Sequence, residues 1–411
     1  MPIKTTHPTE TKSPKSTCLL LIPSLLILTI LNACNSNSTD NYQDADPYPN
    51  ISAAFGNTIE LDNLPNYVNQ TVPNYITKNN SLGNSISNEI ATLGRVLFYD
   101  VNLSVDNTVS CATCHQQSHG FSDTEVASNG VNGQTVRHSM RLINVQFSDE
   151  VKFFWDERAE TLEAQTTMPI KDHGEMGFSG ENGDLSFEDL LEKLNGIGYY
   201  NELFTFAFGN SNITEDRIQQ ALSQFVRSIQ SFDTKYDEGR AQAGNDGIPF
   251  SNFTMQENQG KNLFLAPPQF DGNGSRIGGG IGCAGCHTPP EFSIEPNTLN
   301  NGIIGIIGST SDIDINNTKA PTLRELFSVD GSLNGPFMHT GAFVNLQQVM
   351  THYDNIIVPH GNTNIDPKLL PQGNPQQLNL TTEEINSVIA FLRTLSGTDV
   401  YTNTKWSNPF E

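Results

Sequence analysis

Two pentapeptides carry the strongest chemical signal in this 411-residue chain: Cys111-Ala112-Thr113-Cys114-His115 and Cys283-Ala284-Gly285-Cys286-His287. In such a segment the two thiols can form thioethers with the vinyl groups of a porphyrin while the adjacent imidazole reaches the iron. One short turn of chain then supplies covalent anchor and ligand together. Zinc is the chief rival. A zinc ribbon brings its second cysteine pair about 15 to 20 residues after the first, whereas here the pairs stand far apart and each has its own histidine. A thioredoxin-like redox pair needs strands alternating with helices around it, and that pattern is missing. The spacing therefore predicts two covalently bound c-type haems, with His115 and His287 as iron ligands.

The elements that must hold these turns are repeated. Gly94-Arg95-Val96-Leu97-Phe98 precedes the first pair, and Gly260-Lys261-Asn262-Leu263-Phe264 precedes the second. Downstream, Phe225-Val226-Arg227-Ser228-Ile229 is echoed by Phe391-Leu392-Arg393-Thr394-Leu395, and both echoes lie 166 residues apart. One offset at both ends predicts an internal duplication. Ile90, Leu93 and Leu97 recur at helical spacing behind Ser87-Asn88-Glu89, and the closing segments start with cap-like Thr214-Glu215-Asp216 and Thr381-Thr382-Glu383-Glu384. Acidic first turns suit the positive end of a helix dipole. The expected fold is mostly α, two cytochrome c-like haem domains related by internal duplication, over residues 59–250 and 251–411. Asp156 is expected to cap a helix running through Arg158, Leu162 and Gln165 until Pro169 ends it.

Composition narrows the partners. A formal charge of -23 would repel phosphate, so nucleic acid is excluded as a natural partner. Lys4, Lys12 and Lys15 precede an apolar run from Cys18 to Leu31, followed by Asn32-Ala33-Cys34. This reads as an export signal over residues 1–33. Leu31-Asn32-Ala33-Cys34 resembles a bacterial lipobox, which makes Cys34 the lipidated first residue of a periplasmic protein; a plain secretory signal is the alternative. Residues 34–58 are polar and read as a flexible tether. On this reading the chain meets the membrane only through its N-terminal lipid.

With these segments and Phe153-Phe154-Trp155-Asp156-Glu157-Arg158 through Gly174-Glu175-Met176-Gly177-Phe178 in view, the chain resembles the bacterial di-haem cytochrome c peroxidase and MauG family. The resemblance implies that His115 ligates the peroxidatic haem and His287 the electron-transfer haem, with Trp155 as relay between them. It puts Gln165, Pro169 and Glu175 in the distal pocket, where a carboxylate can act as base and then acid on peroxide and an amide can orient it. By themselves, Glu175 reads as a solvated loop residue and Trp155 as core. Arg158 is a candidate for a haem propionate, or for a surface ion pair.

The implied activity is reduction of hydrogen peroxide with electrons from a small donor protein of cytochrome c or cupredoxin type. MauG-like oxidation of a protein or organic substrate through high-valent haem is the alternative, and a di-haem electron carrier is the reading from another class. A homodimer is compatible with either enzyme.

The chain departs from the family in three places. Many members keep a second histidine on the peroxidatic iron, but no histidine falls between His119 and His138, so an open sixth position is expected. At the second haem, the place of the family's axial methionine is taken by Tyr353, with Met338 as alternative ligand; tyrosinate favours higher iron oxidation states and methionine raises the potential. His138 stands where the family has an asparagine that helps bind calcium. That puts calcium in question, although Asn334 and Pro336 could offer carbonyls.

Overall fold

Caps and apolar spacing decide where the helices begin. The computed structural model describes residues 46–149, 152–294, 298–316 and 318–411. Among them are twelve α-helices: α1 (Pro49–Phe55), α2 (Asn88–Tyr99), α3 (Cys111–Cys114), α4 (Leu162–Thr167), α5 (Phe187–Asn195), α6 (Gly198–Phe208), α7 (Glu215–Ser228), α8 (Lys235–Gln242), α9 (Met255–Leu265), α10 (Leu346–Asp354), α11 (Thr382–Arg393) and α12 (Asp399–Thr402). Four strands make two small antiparallel pairs, β1 (Pro268–Phe270) with β2 (Arg276–Gly279) and β3 (His287–Thr288) with β4 (Ser293–Ile294). The mostly helical expectation holds. Ser87, Thr214, Thr254 and Thr381 each accept the N–H three residues on, and Glu257 and Glu384 complete capping boxes on α9 and α11.

Two helix crossings organise the molecule. A Cβ on Gly94 of α2 would lie 1.9 Å from the Ala221 carbonyl oxygen and 2.9 Å from Phe225 Cβ of α7. The same atom on Gly260 of α9 would lie 1.8 Å from the Ser387 oxygen and 2.9 Å from Phe391 Cβ of α11. Each pair therefore crosses backbone on backbone, at a distance only glycine permits. Around α2 and α7 a core forms from Leu93, Leu97, Phe98, Tyr200, Leu222 and Phe225; around α9 and α11 a second forms from Tyr236, Phe264, Phe292, Val388, Phe391 and Leu395.

Three expectations need correction. The segment read as a tether ends early, because Pro49–Phe55 is helical and buries Ile51 and Phe55. Glu202 of α6 accepts the Ile51 N–H at 2.9 Å, so a distant carboxylate caps a helix too short for periodicity to reveal. The boundary at residue 250 also fails as a division of cores. Tyr236 and Phe250 pack in the second core, whereas Val400 and Trp406 return to the first. Trp406 Nε1 donates to Ser228 Oγ at 3.2 Å, and Tyr99 donates to the Trp406 carbonyl at 2.6 Å.

The third correction concerns α4, which is capped by Thr161 rather than Asp156. Residues 154–160 are irregular, with φ of 70° at Phe154 and 59° at Glu157, and Arg158 precedes the helix instead of sharing a face with Gln165. The segment read as an export signal and Cys34 lie outside the described residues, within which no helix is long and apolar enough to cross a membrane.

Candidate haem sites

The first site begins on α3, a four-residue turn capped by Ser110 and Thr113. Burial pushes the Cys111 thiol up to about 12 and the Cys114 thiol to about 11. Burial also pushes the His115 imidazole below its ordinary range. His115 Nδ1 lies 3.2 Å from the Phe121 carbonyl oxygen. A carbonyl only accepts, so Nδ1 carries the hydrogen and Nε2 keeps its lone pair for a metal.

The second site repeats this arrangement with one difference. His287 is held neutral by burial, pushed down to about 4, and Cys283 is pushed up to about 12. The carbonyls of Phe292 and Pro321 stand beside its ring, yet its buried Nδ1 has no partner in hydrogen-bonding geometry. Phe121 and Phe292, which present the carbonyls, share a left-handed backbone, with φ of 55° and 56°.

Each turn opens on empty space of its own. His115, Gln165, Pro169 and Glu175 together line two adjoining cavities of about 150 and 100 Å³. Cys283, Cys286 and His287 line a larger one of about 720 Å³, within the range of cofactor pockets, with Met338 and Tyr353 also on its wall. Paired thiols, neutral imidazoles and adjoining cavities fit two c-type haems.

Around His115 the polar groups are few and placed. Burial, with a smaller push from Asp172, raises the Glu175 carboxyl to about 7, and Arg158 opposes the rise. Gln165 sits on α4, pinned to α7 by the Glu163–Arg227 ion pair. Burial alone would raise the Glu163 carboxyl, but hydrogen bonds from Arg227 and Asn84 hold it down to about 2. Arg158 is half-exposed, paired with Asp156 at 2.9 Å and stacked on Phe154 at 3.6 Å, and it lines the cavity wall.

Facing His287, Asn301 Nδ2 donates to the Tyr353 hydroxyl at 3.1 Å and lies 3.5 Å from Met338 Sδ. The two candidate ligands thus share one amide. Burial pushes the Tyr353 phenol well above its ordinary range. Nothing in the sequence marks Asn301, which reaches this wall from 52 residues away from Tyr353.

Trp155 is 8% exposed and borders both the large cavity and the larger of the two at His115. Its Nε1–H donates to the His138 carbonyl at 2.7 Å, and its own carbonyl accepts from Lys319 N–H at 3.0 Å. His138 has both ring nitrogens engaged, Nδ1 with the Glu125 carbonyl at 2.9 Å and Nε2 with Ser122 Oγ at 3.3 Å. His119 Nε2 faces the Gly335 carbonyl at 2.9 Å, and His352 Nε2 the Asn301 carbonyl at 2.9 Å.

One carbonyl expected to face calcium is already engaged. Buried Arg141 donates Nη2–H to the Asn334 carbonyl at 2.8 Å, which puts a positive charge on the oxygen a cation would need. Sequence reading also missed Arg141, which stands close to other polar residues and whose partner is 193 positions away.

A mostly helical chain with two Cys-x-x-Cys-His turns, each on the edge of its own cavity, defines a di-haem protein of cytochrome c type. The chain belongs to the di-haem cytochrome c peroxidase and MauG family: the sequence profile described as "Di-haem cytochrome c peroxidase" matches residues 88–245. It is 30% identical to the methylamine utilization protein MauG of Methylorubrum extorquens, over 66% of this chain and 70% of that one. It is 28% identical to the cytochrome c551 peroxidase of Nitrosomonas europaea, over 75% of this chain and 80% of that one. Among solved structures, a MauG-like protein associated with microbial copper homeostasis superposes with a TM-score of 0.63 at 25% identity, covering 84% of this chain and 99% of the other. Membership implies two c-type haems and an oxidoreductase.

Proposed function

We propose that the protein is a di-haem peroxidase that reduces hydrogen peroxide to two waters, taking two protons from its surroundings and two electrons from a small donor protein. The observation that carries this reading is a single titratable carboxyl, Glu175, raised to about 7 on the cavity that His115 lines. A haem held by Cys111, Cys114 and His115 supplies the redox-active iron there, and one held by Cys283, Cys286 and His287 supplies the second. Glu175 takes a proton from one peroxide oxygen and returns it to the other, which it does best with a pKa near the working pH. Gln165, which does not titrate, orients the peroxide through its amide. Arg158 tempers the Glu175 pKa, and Trp155 joins the two cavities as the electron relay.

A second reading is favoured by one observation. Tyr353 faces the His287 cavity, and a tyrosine ligand suits storage of oxidising equivalents for a protein or organic substrate better than methionine does. An electron carrier needs neither Glu175 nor Gln165. The matched crossings at Gly94 and Gly260 support an internal duplication, and the N-terminal sequence supports export to the periplasm with a lipid on Cys34. Stopped-flow turnover of the ferric and donor-reduced holoprotein with peroxide tests the activity. Two donor electrons consumed per peroxide are expected, and peroxide-independent donor oxidation would leave only the carrier.

A further inference from the structure

The segment that lacks the family's second histidine is a tight turn. Thr135 N–H donates to the Ser128 carbonyl at 2.9 Å and Gly130 N–H to the Gly133 carbonyl at 2.8 Å. Its tip lies on the main chain of the Glu175 loop. Val131 N–H donates to the Glu175 carbonyl at 3.0 Å, Asn132 N–H to the Gly174 carbonyl at 3.1 Å, and Asn132 Nδ2 to the His173 carbonyl at 2.9 Å. From the other side, Asp172 Oδ1 accepts the Gly174 and Glu175 N–H groups at 2.8 and 3.0 Å. The peptide units flanking Glu175 are thus held at both faces. The approach is so close that a Cβ on Gly130 would lie 2.1 Å from the Gly174 oxygen and 2.7 Å from Glu175 Cα.

We propose that the turn over residues 128–135 is the positioning element for Glu175, and that Gly130 is the residue that sets the distance. This rests on the acid–base reading of Glu175. Where related peroxidases carry a ligand that must move away, this chain carries a clamp that fixes the carboxyl in place. The backbone cannot give at Gly130, because the groups a side chain would strike are themselves main chain, tied through Asp172 and Val131. A methyl group there must push the Glu175 loop outward and let water reach the carboxyl.

The test uses ferric holoprotein and its Gly130→Ala variant, with the Glu175 carboxyl followed by infrared difference titration against Glu175→Gln. The expected result is a midpoint moved from about 7 toward the ordinary carboxylate value, with the electron paramagnetic resonance of both haems retained and kcat lowered about 10²-fold while KM changes little. An unmoved midpoint with parental kcat overturns the proposal. Should Gly130→Ala fail to take up haem, amide hydrogen exchange in the parent decides. Val131 and Asn132 amides are expected to exchange as slowly as those of α2, and exchange at the rate of an open loop overturns the clamp. Parental turnover in Glu175→Gln would end the acid–base reading alone, since midpoint and exchange judge positioning without it.

Discussion

The two haem turns are built alike and their surroundings are not. Both stand next to a helix crossing closed by a glycine, both use a half-buried imidazole whose surroundings disfavour its protonation, and both place a left-handed phenylalanine carbonyl beside that ring. Across the His115 cavities lies a carboxyl poised to gain or lose a proton, with no second ligand side chain in the turn above it. Across the His287 cavity lie a phenol and a thioether joined by one amide. Two like helix crossings thus carry one site suited to proton chemistry and one suited to tuning a potential. The difference resides outside the crossing helices, in Glu175, Asn301 and Met338 on loops and Tyr353 on α10, while the crossings stay alike.

The largest expected effect falls on the first site alone. Glu175→Gln keeps the shape and removes the proton, so peroxide turnover should fall by about 10²- to 10⁴-fold with the spectra of both haems unchanged. The sign of the pH dependence is fixed. As a base Glu175 acts ionised, so parental activity should decline as pH drops through about 7. Stability runs the other way: a carboxyl raised in the folded state favours folding below its unfolded pKa and loses that contribution as pH rises through about 7. Thermal melts at pH 8 should therefore show Glu175→Gln more stable than the parent, and near pH 4 the two should coincide. Parental turnover at every pH would erase the contrast between the sites.

The next effect tests what the sites share. Gly94→Ala and Gly260→Ala each force a methyl group onto a carbonyl oxygen across a crossing, and each should cost about 1–3 kcal/mol or more in denaturant unfolding. Equal costs sharpen the equivalence of the scaffolds. A large cost at one and none at the other would break it.

A smaller and more local change belongs to the second site. Tyr353→Phe removes the hydroxyl and leaves Asn301 Nδ2 with Met338 Sδ. The potential of the His287 haem should then rise by on the order of a hundred millivolts, a fraction of the ~0.8 V that axial ligands span. Spectroelectrochemistry should show the His115 haem unmoved. A shift at the His115 haem instead would reverse the assignment of the two cavities.

What the sequence made legible was local. The Cys-x-x-Cys-His turns and the threonine caps are fixed by residues within a few positions, and the segments around Gly94 and Gly260 by a repeat that states them twice, although not how they cross. Asp156 misled because an aspartate ahead of an apolar spacing looks like a cap, while the left-handed backbone at Phe154 and Glu157 has no signature in those side chains. Gln165 and Glu175 came from the family likeness, since a glutamate between glycines shows no sign of burial until Val105, Val131 and Asp172 close around its loop. Asn301, Trp406 and Arg141 were illegible because their partners are distant in the chain: Tyr353, Ser228 and Asn334.

The smallest expected effect lies on the seam, at Arg141, which lines cavities of both sites. A calcium ion on the Asn334 carbonyl would sit about 2.4 Å from that oxygen, within a few ångströms of the guanidinium already bonded to it. At an effective dielectric of 20, a doubly charged ion about 4 Å from a unit charge meets a repulsion on the order of 8 kcal/mol. The ring nitrogens of His138 are spent on Glu125 and Ser122, so they offset none of it. Holoprotein treated with a chelator and returned to millimolar calcium should accordingly show no binding heat and no change in either haem spectrum. Arg141→Thr removes the charge and should create calcium-dependent spectra where the parent has none. Stoichiometric calcium binding by the parent would mean that the guanidinium swings away, and that the seam between the unlike sites is held by an ion after all.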